Sequence, residues 1–220
     1  NIDQQKIKEI NTGIMVIPNA NLHEWLPKLE NKNSQKEYYL TDIVAIAAKA
    51  GEKIEAAHPS NNWEVLGVNS KVQLAALERT YQRNYAEKLL EQGVTLTDPS
   101  RIDIRGKLNC GKDVEVDINC IFEGKVILND GVKIGAHCIL KNVKIGAGTT
   151  ILPFSLIEDA DIGKNCRVGP FSRIRPGTNL ADEIHIGNFV EIKNSSINSG
   201  SKINHLSYIG DATVGKKVNV

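Results

Sequence analysis

Near the end of the chain lies a set of side chains that could hold a phosphate and move a proton. Arg173, Glu191 and Tyr208 follow one another at intervals of eighteen and seventeen residues, and Arg175, Lys193 and Gly210 do the same two residues further on. If the chain climbs one structural turn over that interval, each trio forms an outward column. Arg175 and Lys193 then sit about one strand spacing apart, ~4.8 Å. Like charges at that distance repel unless an anion lies between them. A guanidinium and an ammonium with Arg173 and Glu191 alongside make a phosphate pocket. They could equally splay into solvent as a charged edge, and the spacing alone does not separate the two readings. His205 stands three residues before Tyr208. Histidine is the side-chain type that exchanges a proton near neutral pH, as a base acting on an amine must, although a lone surface histidine commonly has no role. His23, His58, His137 and His185 share no column with it or with one another, which argues against a histidine zinc site.

What would position these groups is a repeat. From Ile104 onward an apolar residue returns every five or six positions: Ile104, Cys110, Val116, Phe122, Leu128, Ile134, Leu140, Ile145, Ile151, Ile157, Ile162, Val168, Ile174, Leu180, Ile186, Ile192, Ile197, Ile203, Ile209, Val214 and Val220. A hexapeptide period marks a parallel β-helix, with three short strands and three corners to each coil. The apolar residue points inward. Four residues later comes a second inward slot with little room, filled by Cys120, Cys138, Thr149, Ser155, Cys166, Ser172, Thr178, Ser196, Ser201 and Ser207. Gly135, Gly146, Gly163, Gly169, Gly187, Asn198, Gly210 and Gly215 directly follow the apolar residue, where types that tolerate a left-handed corner are expected.

With 220 residues, 41% hydrophobic, and a net charge of +1, the chain suits one or two domains and carries no electrostatic signature of nucleic-acid or membrane binding. No apolar run approaches the ~20 residues of a membrane span, and no signal peptide is visible. Cys120, Cys138 and Cys166 occupy the small inward slot and Cys110 an apolar one. Buried reduced thiols of this kind fit a cytoplasmic protein, and the absence of a CxxC pair argues against a cysteine zinc site. The chain opens on Asn1 and stops at Val220, a core position beginning a new hexad. A solenoid stopping there exposes an uncapped apolar cross-section, so a fragment of a longer protein is expected.

Ahead of the repeat the pattern changes. Residues 10–17 read as a turn entering a buried strand, 20–32 as a short amphipathic helix, Ile43–Ala50 as a helix capped by Thr41 or Asp42, and 54–59 as another strand. This α/β alternation suits the closing part of a doubly wound nucleotide domain. Val72, Ala75, Ala76, Tyr81, Tyr85 and Leu89 then mark a long helix over about 70–92, stopped by Gly93.

Six motifs occur together in order and spacing: EINTGI (9–14), EYYLTD (37–42), GVNSKVQL (67–74), RVGPFSRIRPG (167–177), IGNFVEIK (186–193) and KINHLSYIGD (202–211). Together they resemble the bifunctional bacterial N-acetylglucosamine-1-phosphate uridyltransferase/glucosamine-1-phosphate N-acetyltransferase family, over the whole chain. The resemblance implies the C-terminal part of an α/β nucleotidyltransferase-type domain at 1–69, a linker helix at 70–93, and an incomplete left-handed parallel β-helix acetyltransferase domain at 94–220. It implies acetyl transfer from acetyl-CoA to glucosamine 1-phosphate, then coupling of the product to UTP with Mg²⁺, giving the UDP-N-acetylglucosamine used in cell-wall and lipopolysaccharide synthesis. His205 matches the family's catalytic base, Arg175 and Lys193 its sugar-phosphate ligands, and Tyr208 and Asn219 further contacts of the acetyl site. Asn11 matches a contact to the nucleotide sugar, and Asn69 a residue binding both nucleotide sugar and Mg²⁺, whose aspartate partner would precede residue 1. A cytoplasmic homotrimer built through the β-helix, with the acetyl site between subunits, is implied as well. The family's glycine-rich nucleotide loop, and the coils that hold most of its acetyl-CoA site, are not in this stretch, so the fragment alone is expected to be inactive in either reaction.

Two other readings remain. Another hexapeptide-repeat acyltransferase would account for His205 but not for the motifs around Asn11 and Asn69. A nucleotidyltransferase with a non-catalytic β-helical tail would account for those motifs but leave Arg175, Lys193 and His205 without purpose.

Overall fold

A residue that must be buried at every fifth or sixth position can be satisfied only if the chain keeps coiling round a common axis. In a computed structural model, which describes residues 9–220, it does so. The chain forms two compact units, one ending at Leu77 and the other spanning Glu78–Val220. The second is the expected parallel β-helix. Its first face stacks seven strands: Thr95–Leu96, Glu115–Val116, Lys133–Ile134, Thr150–Ile151, Arg167–Val168, His185–Asn188 and Lys202–His205. The second and third faces begin as long strands that bend at a shared corner, Ile102–Cys110, Cys120–Leu128, Ile139–Ile145 and Leu156–Ile162. In later coils they separate, with Arg173–Ile174, Glu191–Lys193 and Tyr208–Gly210 on the second face, and Asn179–Leu180, Ser196–Ile197 and Thr213–Val214 on the third.

The apolar series lines the interior. Ile145, Ile151, Ile157, Ile174, Ile186 and Ile192 have no exposed surface. In the last coil Ile209 and Val214 are only partly covered and Val220 is 53% exposed. The second inward slot ties each coil to the next. Thr149 Oγ1 donates to the Gly163 carbonyl at 2.8 Å, Ser172 Oγ to Gly187 at 2.7 Å and Ser201 Oγ to Gly215 at 2.7 Å. One expected member is displaced, since Ser195 is buried there and Ser196 faces out. The step from Ile192 to Ile197 is five residues, not six, so one corner residue is lost and the slot moves from the fourth place to the third. The four cysteines are free. Burial pushes the Cys110 and Cys120 thiols up to about 11 and Cys138 up to about 12, which keeps them protonated and unreactive.

The glycine expectation needs a second correction. Of the residues directly after the apolar one, only Gly169 has positive φ. The left-handed position falls three residues after the apolar residue in six-residue steps, at His137, Phe154, Phe171, Phe189 and Leu206 along the corner between the first and second faces. Gly187 is there for another reason: a Cβ on it would lie 1.6 Å from the Asn204 carbonyl of the next coil. Close stacking of backbones, not backbone freedom, requires glycine at that place.

The long helix forms as expected, here α3 (Lys71–Glu91), and ends at Gly93 with φ +89°. Its part within the second unit is sewn to the first coil. Ile104 N–H donates to Gln82 Oε1 at 2.8 Å, and Gln82 Nε2 donates to the Ile104 carbonyl at 2.9 Å. Tyr85 and Leu108 exchange a similar pair of bonds. Gln82 is 3% exposed, so Gln82→Ala strands a buried N–H and C=O. The variant should lose about 1–3 kcal/mol of stability. Denaturant unfolding checks this, and an unchanged midpoint would show that water or a shifted side chain serves Ile104 equally well.

In the first unit α1 (Asn19–Trp25) gives way to a 3-10 turn at Leu26–Lys28, because Pro27 has no N–H to continue the helix. α2 (Ile43–Lys49) follows a 3-10 turn at Leu40–Asp42, and neither expected cap bonds it; Asp42 holds the cap position with no side-chain hydrogen bond. Trp25, Ile43 and Ala47 form a small core. The strands expected at 10–17 and 54–59 do not form, and Ile10, Ile14 and Val16 are exposed. A strand exists only in a ladder, and neither segment has a paired strand among the described residues. Among the described residues no helix is long and apolar enough to cross a membrane.

Candidate active site

The columns drawn from spacing are the columns of the fold. Arg173 pairs in register with Glu191 and Glu191 with Tyr208; Lys193 pairs with Gly210. Arg175 donates its N–H to the Ile192 carbonyl at 2.8 Å, which sets it beside Lys193 on the second face. His205 ends the adjoining strand of the first face, in register with Asn188. Leu206, at φ +50°, then turns the chain round the corner to Tyr208. Backbone conformation therefore sets the relation of His205 to Tyr208: they flank one tight turn, fixed further by Ser207 Oγ donating to the His205 carbonyl at 2.9 Å. His205 and Tyr208 are both exposed, and the Tyr208 ring folds over Gly210, where a Cβ would collide with its hydroxyl.

The charges are arranged differently from the simple picture of two bare cations. Arg175 Nη1 lies 2.8 Å from Glu191 Oε1, and Lys193 Nζ lies 3.8 Å from Asp211 Oδ2. Asp211 is held in turn by Asn194 Nδ2 at 2.7 Å. The mutual repulsion of Arg175 and Lys193 is thus already relieved by two carboxylates. Half-exposed pairs of this kind are weak, so an arriving phosphate can compete for both cations. Sequence reasoning overlooked Asp211. Its signal was there, seventeen residues after Asn194, but the five-residue steps put it at a corner, not in a hexad column.

The remaining candidates lie apart. Asn219 forms a bridge with Lys202 on the first face and accepts a hydrogen bond from Asn204 Nδ2 at 2.8 Å, so it stands round the corner from Arg175 and Lys193. In the first unit Asn11 Oδ1 accepts from Gly13 N–H at 2.8 Å, closing a local turn. Asn69 is exposed just before α3, where its N–H donates to Gln73 Oε1 at 2.7 Å. No hydrogen bond or ion pair joins Asn11 to Asn69 among the described residues. Mg²⁺ prefers a shell of oxygen ligands usually including carboxylates. Asn69 supplies one neutral oxygen, and no group of three His, Cys, Asp or Glu side chains suited to a metal occurs among the described residues. The residues described here do not by themselves fit the ion.

Comparison with known proteins adds sequence to this geometry. The family model of the GMPPB C-terminal domain matches residues 104–188, the lower coils of the β-helix. The bifunctional protein GlmU of Nitrosospira multiformis is 68% identical over 217 residues, which cover 99% of this chain and 47% of that protein. GlmU of Ralstonia pickettii is 60% identical over 220 residues, covering 100% of this chain and 48% of the relative. Among solved structures, PerB from Caulobacter crescentus, in complex with CoA and GDP-perosamine, overlaps 63% of each chain at 12% identity with a TM-score of 0.41, a likeness that carries no argument about chemistry. The chain spans about half the length of the curated relatives it matches. Identity of this order along almost every residue, together with the β-helix that its spacing requires, makes the chain similar to about half the length of the bifunctional GlmU proteins.

Proposed function

We propose that the protein of which this chain is part acetylates glucosamine 1-phosphate from acetyl-CoA and then transfers a uridyl group from UTP to the product, giving UDP-N-acetylglucosamine and pyrophosphate. The observation that carries the acetyl half is the corner itself. Two cations stand side by side on one face, and a histidine stands across a single turn on the next. A sugar phosphate bridging that turn would place its phosphate at Arg175 and Lys193 and its amine toward His205. Acetyl-CoA would supply the acyl group, its thioester losing the thiolate as the amine attacks. The 60–68% identity to GlmU proteins supports the same assignment. Acetyl-CoA consumption by the full-length protein with glucosamine 1-phosphate as acceptor tests it. A specific observation favours the reading of the β-helix as a non-catalytic assembly tail, since both cations already have carboxylate partners. No acetyl transfer by full-length protein would select that reading.

The chain also acts as part of a homotrimer in the cytoplasm on this proposal. Two features support assembly through the β-helix. Along the corner below the site, His137, Phe154, Phe171 and Phe189 stack face to face with centroids 4.8, 4.9 and 5.4 Å apart, and the three phenyl rings are 47–55% exposed. Asn219 and the two cations, on different faces of one chain, come more readily to one ligand when a second subunit helps enclose it.

The uridyl half rests on Asn11 and Asn69, both exposed and open to a ligand. In the full-length protein Asn69→Ala should impair uridyl transfer and leave acetyl transfer intact, because the two residue sets lie in different units. Equal loss of both activities would mean that the substitution acts on the start of α3 and hence on stability.

A further inference from the structure

A separate set of charges lies on the first face. Arg167, His185 and Lys202 pair in register on adjacent parallel strands, each one coil above the last. Lower in the same column Glu115 and Lys133 neutralise each other at 2.9 Å, and Thr150 is uncharged. Elsewhere Arg79, Arg83, Arg101, Arg105 and Arg175 each have a carboxylate. Arg167 and Lys202 have none among the described residues, although Asp182 and Glu183 precede His185 by three and two residues. Asp182 Oδ1 instead accepts from Lys164 N–H at 2.7 Å. Two residues further along, beside Arg167 and His185, stand Gly169 and Gly187, and beside Lys202 stands Asn204. No side chain rises at the two glycines, so Arg167 and His185 border bare backbone.

We propose that Arg167, His185 and Lys202 form an anion site for a diphosphate group lying along the coil-stacking direction, distinct from the Arg175–Lys193 pair on the second face. Arg167 and Lys202, with His185 between them at ~4.8 Å intervals, span more than one phosphoryl group can bridge and match two that are linked. Arg167 offers a planar fork for one phosphoryl group and Lys202 a point charge for the other, with His185 between them. The state of His185 supports this. Its ordinary value is lowered, first by partial burial and then by the Arg167 and Lys202 charges on either side, and no carboxylate offsets them. An anion laid across the three reverses the second cause, so His185 should gain a proton on binding. Affinity should therefore rise as pH falls through the histidine range.

The probe is inorganic pyrophosphate, read at the His185 imidazole by NMR in full-length protein with labelled histidine, the resonance being assigned with His185→Gln. Pyrophosphate should move the His185 titration upward. Arg167→Ala and Lys202→Ala should each weaken the response by roughly tenfold or more. In Arg175→Ala the response should persist, which separates this site from the sugar-phosphate pair, and its loss in Arg167→Ala and Lys202→Ala separates it from any pyrophosphate bound in the other unit. If chloride at matched ionic strength shifts His185 as far as pyrophosphate does, the column is an ordinary solvated face and the proposal falls. It falls too if the response survives both Arg167→Ala and Lys202→Ala.

Discussion

His205→Ala should lower acetyl transfer by about 10²–10⁴-fold, the usual contribution of a positioned general base, while uridyl transfer and the fold stay as they are. At neutral pH the amine of glucosamine 1-phosphate is partly an ammonium, which cannot attack a thioester, so a proton must leave as the C–N bond forms. Of the side-chain types around this corner, carboxylates as a class hold a proton too weakly and phenols too tightly for that exchange. Histidine suits it. The fold should tolerate the change: His205 is exposed, and the side-chain hydrogen bond it receives from Ser207 goes to its backbone carbonyl. Steady-state kinetics of the two half-reactions in the full-length variant, with a pH–rate profile, provide the check. An acid limb expected of the wild-type profile should be absent from the variant's. A variant that keeps most of its acetyl transfer would mean that the amine loses its proton by another route.

Arg175→Ala and Lys193→Ala should each weaken glucosamine 1-phosphate binding by about 1.5–3 kcal/mol, the range for hydrogen bonds to charged groups, or roughly 10–150-fold. Each substitution does more than remove a donor. Without Arg175, Glu191 has no ion-pair partner and faces the incoming phosphate; without Lys193, Asp211 does the same. The two effects should not add simply, since both cations serve one ligand. The Michaelis constant for the sugar phosphate should rise in each variant, with uridyl transfer spared. An unchanged constant in both would assign Arg175 and Lys193 to a paired, solvated edge.

Much of the site was legible because a β-helix turns distance along the chain into height at a nearly constant rate. Once the apolar period was found, Arg173, Glu191 and Tyr208 had to stack, and they do. Two of the details that escaped involve the steps of five. Those steps put Ser195 where Ser196 was expected and hid Asp211 at a corner, so the partner of Lys193 went unnoticed. The first unit was less legible for a different reason. Helices such as α2 are recognisable from local pattern, but residues 10–17 and 54–59 could be strands only with partners alongside. A sequence stretch does not reveal whether its partner is present.

The stacking of coils by register has a consequence for how such a site can change over time. Because His205, Tyr208, Arg175 and Lys193 come together only by count, length changes are tolerated in quanta. Gaining or losing a whole coil of seventeen or eighteen residues below Val168 would raise or lower the corner intact. Losing one residue between Ile192 and His205 would shift every later side chain by one place, and in a strand that exchanges inside for outside. Ile203 and Ile209 would turn toward solvent and the cations would lose the histidine across the turn. Variation around this chemistry is therefore expected as substitutions and as whole added coils, with single-residue insertions and deletions confined to places where a corner can absorb them.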